Sequence, residues 1–254
     1  MKMLKNSYWP AIGVAVLCTF FTALGSAIAE IMEVEEAAAY LIMAGGVAVS
    51  ALLGLLIMKR SGNAMRQYGF RLPERNGIGQ VWMYVPLLLL ELAPILIYGF
   101  HFNKQPIVYA VLLLFTLLVG LNEEMYFRGL VFGYLNRIST KTAIIGSSVI
   151  FGVLHAVTAL NGKNMGLVLL QVGFAFLAGV VLVQIVVLTK SLWPGILWHI
   201  VHNFLSFSTE DVFDEKAIIV VSIQVFLLLV YAIGMGISLS KRQALEQPST
   251  ITMR

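Results

Sequence analysis

The chain has 254 residues, of which 59% are hydrophobic and only 12% carry a charge. A soluble globular domain carries about 25% charged residues, so this chain lacks the polar side chains needed to cover a surface that faces water. The net charge of +4 does not indicate a nucleic-acid partner, because the cytoplasmic loops of membrane proteins collect Lys and Arg. A single cysteine, Cys18, excludes an intrachain disulfide. The composition therefore predicts an integral membrane protein.

Apolar stretches of about 20 residues, the length that crosses a lipid bilayer, recur along the chain. They predict an all-α, polytopic membrane protein with about eight transmembrane helices. No shift in composition divides the sequence, so residues 1–254 are expected to form a single transmembrane domain that ends in a disordered cytoplasmic tail over residues 240–254. The seventh stretch is short, which indicates a tilted, broken or deeply buried helix. The predicted helices cover residues 9–32, 37–58, 79–100, 107–135, 143–160, 166–188, 194–207 and 217–239.

The charges between these helices are distributed unequally. With Arg128 set aside inside a helix, 13 Lys and Arg residues lie on the side that carries both termini. Three lysines, Lys104, Lys163 and Lys216, lie on the other side, together with the acidic stretches "EVEEA" and "STEDVFDEK". Because positively charged loops remain in the cytoplasm, both termini are predicted to be cytoplasmic.

The first predicted helix allows a second interpretation. The segment "MKMLKNSYWP", followed by an apolar stretch and by "AIA" at residues 27–29, resembles a secretory signal with its cleavage site. Apolar character continues to Met32 and seven more apolar stretches follow, so an uncleaved first helix is favoured. Cleavage would leave the rest of the topology unchanged.

Ionisable or polar side chains lie inside three of the predicted helices. Each ionisable group costs about 2.5–3.5 kcal/mol to insert and is a functional candidate by default. The fourth helix contains Glu123, Glu124 and Arg128, the fifth contains His155, and the seventh contains His199, His202 and Asn203.

Spacing separates the roles of the charged residues in the fourth helix. Glu124 and Arg128 are four residues apart with the acid first, which is the favourable order for a helical ion pair. This pairing leaves Glu123, on a different side of the helix, without a local cation. Because a desolvated carboxylate can transfer protons to and from a reacting group, Glu123 is predicted to be the reactive acid.

The same four-residue spacing recurs on the other two helices. His199 and Asn203 are four residues apart and therefore face the same direction. Phe151 places an aromatic ring one turn before His155. His202 points partly away from His199 and is expected to form a hydrogen bond with a neighbouring helix.

Several polar and small residues have structural interpretations. Glu30 and Glu91 each stand alone near a predicted helix and are expected to be protonated or to lie near a membrane interface. Gly129 and Gly133 form a G-x-x-x-G that permits near backbone contact between helices, and ordinary packing glycines would give the same pattern. The whole polar set could also be an interhelical network that only holds the bundle together.

The polar residues of the three helices form three motifs, in order and on separate apolar segments. The motifs are Glu123-Glu124-x-x-x-Arg128, Phe151-x-x-x-His155 and His199-x-x-x-Asn203. Together they resemble the motifs of the CPBP family, the CAAX proteases and bacteriocin-processing enzymes also called the Abi family, which includes the Rce1-type prenyl-protein endopeptidases. The resemblance covers about residues 80–207. It implies an eight-helix intramembrane endopeptidase whose cavity opens toward the cytoplasm.

The resemblance also implies a role for each motif position. Glu123 would activate water with the assistance of His155. His199 and Asn203 would stabilise the oxyanion of a tetrahedral intermediate. The ion pair of Glu124 and Arg128 would hold the fourth helix in place. These two residues are therefore also candidate site residues.

The cofactor requirement stays open at this stage. No cofactor is favoured, because the sequence contains no H-E-x-x-H and Asn203 would be a poor zinc ligand. Zinc nevertheless remains an alternative, since two histidines with a carboxylate could bind it with an open position and His202 adds a third imidazole. Hydrolysis that depends on Glu123 is favoured over hydrolysis that depends on a metal.

The leading function is an intramembrane endopeptidase that cleaves a membrane-associated peptide or protein tail near the cytoplasmic face. Relatives imply bacteriocin precursors, peptide pheromones or prenylated CAAX tails as substrates, and a multi-pass protein of a bacterial plasma membrane is favoured. The alternative is a non-catalytic membrane scaffold or regulator that binds a sensor kinase, a cell-wall enzyme or a bacteriocin-immunity partner. An ion-coupled transporter is disfavoured, because the sequence shows no internal symmetry of its halves.

Overall fold

The computed structural model describes residues 7–74, 83–98, 103–161, 164–208 and 215–246, and these residues form an all-helical protein. No strand occurs within them, so the predicted fold class is confirmed. The described residues contain eight helices in the order of the eight predicted apolar stretches. Their bounds are α1 Tyr8–Ile31, α2 Glu36–Arg60, α3 Val85–Tyr98, α4 Pro106–Asn136, α5 Thr140–Leu154, α6 Met165–Thr189, α7 Trp193–Ser208 and α8 Glu215–Glu246.

Six of these helices are long and apolar enough to cross a membrane, and α5 is among them when it is counted with its 3₁₀ continuation as Thr140–Ala159. The exceptions are α3, with 14 residues, and α7, with 16 residues. The short seventh helix was expected from the sequence. The third is shorter than its predicted span of residues 79–100, and residues 79–82 and 99–100 lie outside the described ranges. The chain is thus a multi-pass membrane protein.

Two ends of the chain depart from simple expectations. Helix α1 runs without a break through residues 27–29, the segment that resembles a signal cleavage site. Helix α8 continues to Glu246, so the first residues of the predicted disordered tail are helical, and residues 247–254 lie outside the described part of the chain.

Helix α5 ends earlier than predicted, at Leu154, and the chain continues as a short 3₁₀-helix, His155–Asn161.

Local sequence signals fix where several helices begin. Pro106 is the first residue of α4, a position where its missing N–H is not needed. The side-chain oxygen of Ser139 accepts a hydrogen bond from the Thr142 N–H at 3.0 Å before α5. Asn164 accepts one from the Gly166 N–H at 2.8 Å before α6. These caps satisfy backbone donors that have no partner inside the helix.

Helix α4 lies between two neighbours, packing against α2 on one side and α7 on the other, while α1 packs on α2, and α6 packs on both α5 and α8. The outer helix faces carry exposed apolar side chains such as Leu52, Leu114 and Ile233. Exposed apolar area on this scale is typical of a surface that contacts lipid. The central position of α4 matters because it carries the largest group of charged side chains inside the bundle.

The middle of α4 departs from regular α-helix geometry. Residues Met125–Val131 form a π-helical segment in which all seven side chains are buried. Such segments are rare and often occur at functional sites. Nothing in the apolar pattern of the sequence predicts this one.

Close helix contacts depend on glycines other than the predicted pair. A Cβ added at Gly120 in α4 would lie 2.7 Å from the Ile200 side chain in α7 and 3.2 Å from the Ile196 carbonyl oxygen. By contrast, a Cβ at Gly133 would meet nothing within 4 Å, and one at Gly129 would meet first the end of a Met side chain. The G-x-x-x-G prediction of near backbone contact is therefore wrong, and Gly120 supplies that contact instead.

The packing of α1 on α2 yields a prediction with a matched control one residue away. A Cβ at Gly46 would lie 2.6 Å from the Phe21 carbonyl oxygen, whereas a Cβ at Gly45 would meet nothing within 4 Å. We expect Gly46→Ala to lower the free energy of unfolding by about 1–3 kcal/mol through overpacking. Gly45→Ala should leave it unchanged or slightly raised, because Ala is the better helix former. Thermal unfolding of the two variants in detergent measures the difference, and equal Tm values would contradict the prediction.

Candidate active site

The carboxylate of Glu124 joins α4 to α7 in the interior of the bundle. Its Oε1 lies 3.0 Å from Arg128 Nη1 in the same helix and 3.0 Å from His199 Nδ1 in α7. The side chains of Glu124 and Arg128 are 0% and 1% exposed. The predicted ion pair is therefore present, and it is extended by an imidazole that the sequence did not assign to it.

A glycine in α7 makes room for this contact. A Cβ at Gly195 would lie 2.9 Å from Oε2 of Glu124, a distance that real Cβ atoms do not tolerate without movement of the neighbour. Helix α7 can approach the carboxylate closely only because this position has no side chain. Gly120 and Gly195 thus bring the two helices together above and below the buried acid.

Glu123 occupies a different environment from its neighbour. Its Oε2 lies 3.5 Å from His199 Nε2, and this oxygen has no hydrogen-bond partner among the described residues. The Glu123 side chain is 16% exposed. Two adjacent carboxylates therefore differ sharply, since one is fixed by two partners and the other faces open space beside a single imidazole.

Hydrogen bonds assign one ring nitrogen on each of two histidines. Nδ1 of His155 lies 2.8 Å from the Phe151 carbonyl oxygen, which can only accept, so Nδ1 carries a proton. Nδ1 of His199 lies 3.0 Å from the Glu124 carboxylate oxygen that is paired with Arg128, so it likewise donates. When either ring is neutral, its Nε2 is therefore the unprotonated nitrogen.

Phe151 contacts three of the candidate side chains. Its ring centroid lies 4.3 Å from the Arg128 guanidinium carbon. The His155 and His199 rings meet it edge-on, with centroids 4.6 and 6.2 Å away. A cation over an aromatic face is attracted to it, so Phe151 helps to hold the arginine and both imidazoles. The sequence had indicated only an aromatic ring beside His155.

The four residues with a predicted chemical role line one cavity of about 570 Å³, namely Glu123, His155, His199 and Asn203. A second cavity, also of about 570 Å³, is lined by His155, His199 and Asn203 from its other side. Side chains from α4, α7 and the end of α5 therefore converge, as the sequence predicted.

His202 forms a separate buried pair with Glu91. Its Nδ1 lies 3.1 Å from Glu91 Oε1 in α3, and its ring is stacked between Trp198 and Phe174, with centroids 5.0 and 4.8 Å away. The expected hydrogen bond from His202 to a neighbouring helix is confirmed. The interpretation of Glu91 as an isolated acid is wrong, because a helix that is distant in sequence supplies its partner.

Helix α1 contributes a row of polar side chains that the sequence analysis did not single out. Cys18, Thr19, Thr22 and Ser26 line the cavity that contains Glu123. Their spacing of three and four residues is the signal that could have identified them, since it places polar groups on one side of a helix. The three hydroxyls each donate to the carbonyl oxygen four residues earlier, so their lone pairs remain available to accept hydrogen bonds.

The cavity extends from Glu123 to Glu30 and Glu33, at the end of the bundle that carries the acidic connections. Toward the opposite, basic end, α4 continues as the π-helical segment whose side chains are all buried. The cytoplasmic termini expected from charge and the cytoplasmic cavity implied by the resemblance therefore conflict. The reason is geometric, because the cavity follows the second half of α1, and that half ends on the side away from the termini.

Zinc was an open alternative, and the described residues offer it a poor site. They include no group of three His, Cys, Asp or Glu side chains that could hold a metal ion. His202, the possible third imidazole, is bonded to Glu91. No chemical step is therefore assigned to a metal below.

The fold and the site define a class: a helical, multi-pass membrane protein with a carboxylate, imidazole and amide cavity inside the bundle. Residues 105–205 match the sequence model of a family described as type II CAAX prenyl endopeptidase Rce1-like. This segment contains all three motifs, and the match confirms the resemblance to the CPBP and Rce1-like proteins. The family implies endopeptidase activity within a membrane on a peptide or protein substrate. Comparisons with curated proteins and with solved structures gave no match.

The buried pair of Glu91 and His202 lies outside the cavity that contains Glu123, and it yields a separate prediction about stability. In a double-mutant cycle with Glu91→Ala and His202→Ala, we expect a coupling energy of about 1 kcal/mol, since the hydrogen bond is buried and links two helices. Thermal unfolding in detergent measures the free energies. Leu92→Ala, at a lipid-facing neighbour, should show no coupling with His202→Ala. Additive effects of the first two substitutions would contradict the pairing.

Proposed function

We propose that the protein is an intramembrane endopeptidase that hydrolyses a peptide bond of a membrane-associated substrate with water activated by Glu123. One observation carries the proposal: the carboxylate of Glu123, two imidazoles and the Asn203 side chain line a single cavity. Oε2 of Glu123 has no hydrogen-bond partner among the described residues. That oxygen is buried, but the Glu123 side chain as a whole is 16% exposed, and this leaves the carboxylate within reach of a water molecule.

In the proposed first step, Glu123 takes a proton from water as the water oxygen bonds to the substrate carbonyl carbon. His155 supports this step, because Nε2 of the neutral ring can accept a hydrogen bond from the second O–H of the water molecule. The C–N bond then breaks, and the proton held by Glu123 passes to the leaving amine nitrogen. The products are a new carboxyl terminus and a new amino terminus.

The developing oxyanion would be stabilised by His199 and Asn203. Because Nδ1 of His199 already donates to Glu124, Nε2 can donate to an oxyanion only from the protonated ring. Asn203 offers a neutral amide donor one helical turn away. Removal of one such donor typically costs 10²–10³ in rate.

Glu124 and Arg128 would position these groups without contact to the substrate. Both are almost fully buried, and the carboxylate holds His199 at 3.0 Å. Glu124 is thus proposed as a positioning residue, and Glu123 as the catalytic one. Glutamate-dependent hydrolysis is proposed over metal-dependent hydrolysis because Glu123 lines the cavity with both imidazoles, whereas Glu124 is held by Arg128 and His199.

The first test is the activity of Glu123→Gln in purified protein. The probes are an internally quenched peptide with a prenylated CAAX end and the same peptide with an acyl anchor. We expect the rate to fall by about 10²–10⁴-fold, the usual contribution of a general base, while the Tm stays unchanged. Glu74→Gln, at an exposed acid far from the cavity, is the matched control and should retain full activity. Equal activity of wild type and Glu123→Gln would overturn the mechanism.

The second test distinguishes the positioning acid from the catalytic one. We expect Glu124→Gln to lower the free energy of unfolding by about 3–5 kcal/mol, because it leaves Arg128 as an uncompensated buried charge. Glu123→Gln should not change stability measurably.

Activity of the wild type in the presence of EDTA should be retained, and its loss with recovery on addition of zinc would favour the metal-dependent alternative. The non-catalytic scaffold would be favoured by two results together. The wild type would cleave neither probe, and the Glu123→Gln variant would still support the cellular phenotype of the wild type.

A further inference from the structure

The cavity that contains Glu123 reaches only one end of the described bundle. Along α1 its wall runs from Cys18 through Thr22 and Ser26 to Glu30 and Glu33. Hydroxyl and carboxyl side chains recur along this wall with alanines between them, although α1 is otherwise an apolar helix. A hydroxyl-lined wall can hydrogen-bond to water or to the backbone of an extended peptide. The polar row therefore marks a path from the end of α1 to the reactive carboxylate.

The opposite direction is closed by packed side chains. The π-helical segment Met125–Val131 follows directly after Glu124, and all of its residues are buried, including the large side chains of Tyr126 and Leu130. The buried ion pair of Glu124 and Arg128 lies in the same layer. A peptide that approached from the basic end would have to displace this layer.

Charge assigns the open end to one side of the membrane. Eight of the 13 acidic residues and only three of the 17 basic ones lie in the connections at the open end, whereas 13 basic residues lie at the closed end. Since basic connections remain in the cytoplasm, the open end faces outward. The acids that line the cavity at this end, Glu30 and Glu33, attract positive charge.

We propose that the substrate enters this cavity from the extracytoplasmic side, and that it is a membrane-anchored peptide with Lys or Arg beside its anchor. This proposal rests on the proposed function, because only a peptidase would have a peptide substrate. The side on which the cavity opens is a separate property, and it can be measured without any cleavage. A cytoplasmic protein tail would meet the closed end of the bundle.

Accessibility of single cysteines to a membrane-impermeant maleimide tests the side. The native thiol is removed with Cys18→Ala, and one thiol is then introduced with Ser26→Cys in the cavity wall or with Ser61→Cys at the basic end. We expect intact bacterial cells to label the first and not the second, and permeabilised cells to label both. Leu24→Cys, which faces lipid on the same helix, is the matched control and should stay unlabelled.

Two results would overturn the proposal. One is labelling of Ser26→Cys only after permeabilisation, which would place the open end in the cytoplasm. The other is the absence of labelling at that position under both conditions, which would mean that water does not reach the cavity wall. Neither result depends on catalysis, so the peptidase proposal stands or falls on its own assay.

The substrate class is tested separately with anchored probe peptides that carry either Lys or Ser beside the anchor. We expect Glu30→Gln and Glu33→Gln to raise KM for the Lys probe by about two- to fivefold each at low salt, the size of an exposed charge interaction. The KM for the Ser probe and both kcat values should not change. An equal effect on the two probes would exclude a charge preference.

A second inference rests on a different cavity, of about 400 Å³, at the basic end of the bundle. Its wall contains no acidic side chain among the residues described, and it contains five basic ones. Arg128 forms its inner wall and is 2% exposed, and neither Nη1 nor Nη2 has a hydrogen-bond partner among those residues. The other four basic side chains are Arg66, Arg71, Arg137 and Lys190, and of these Arg71 is paired with Glu74.

We infer that this cavity binds a phosphate group, supplied by an anionic lipid headgroup of the adjacent leaflet or by free phosphate. Arginine donors suit phosphate oxygens, since the guanidinium presents several N–H groups in one plane. The place of the cavity, at the end with the basic connections, is where anionic lipid headgroups meet a membrane protein. Bound phosphate would also balance the charge of Arg128 on the side away from Glu124.

Lipid retained by the purified full chain tests the second inference. We expect wild type from mixed vesicles to retain phosphatidylglycerol over phosphatidylcholine, and Arg66→Gln with Arg137→Gln to reduce that retention by about ten- to thirtyfold. Lys241→Gln, at the same end but outside the cavity, should retain it. A Tm increase with inorganic phosphate in phosphatidylcholine alone would identify free phosphate as the source. Equal retention by wild type and the double variant, with no effect of phosphate, would exclude the site.

Discussion

The interior of this bundle depends on one buried carboxylate. Glu124 forms an ion pair with Arg128 within α4 and accepts a hydrogen bond from His199 in α7, both at 3.0 Å. A carboxylate and a guanidinium buried apart would each cost several kcal/mol in a medium that cannot solvate them. As an ion pair they are tolerated, and the carboxylate joins two helices. The contact with His199 also sets where that ring stands and therefore what its other nitrogen faces.

The two adjacent glutamates show how a helix can give neighbouring identical residues different chemistry. Successive side chains point in different directions, so Glu124 faces the charged layer and Glu123 faces the cavity. The change to π-helical geometry begins one residue later, at Met125. It keeps Arg128 within reach of Glu124 while the buried layer closes one end of the cavity. A regular helix would also allow the same ion pair, so the pair alone does not account for the irregular segment.

Much of this arrangement could be predicted from the sequence, and the limits are physical. The apolar stretches gave the helices, because their length is set by the membrane. The four-residue spacing gave the ion pair, because both residues lie on one helix. The pairing of His202 with Glu91, and the contact of Gly120 with α7, join helices that are far apart in sequence, and no local pattern encodes such contacts. The polar row on α1 was present in the sequence, but hydroxyls are weaker signals than charges and they stand out only beside the cavity that they line.

The direction in which the cavity opens follows from combining two kinds of information. Charge asymmetry orients the chain in the membrane but contains nothing about internal space. The packed layer around Glu124 and Arg128 defines which half of the bundle is solid, but it contains nothing about the cytoplasm. Taken together, they support the proposal that Glu123 is reached past an acidic rim rather than past basic loops. The layer that holds His199 is the same layer that would exclude a peptide from the basic side, so the position of the proposed catalytic groups and the proposed side of access have one structural cause.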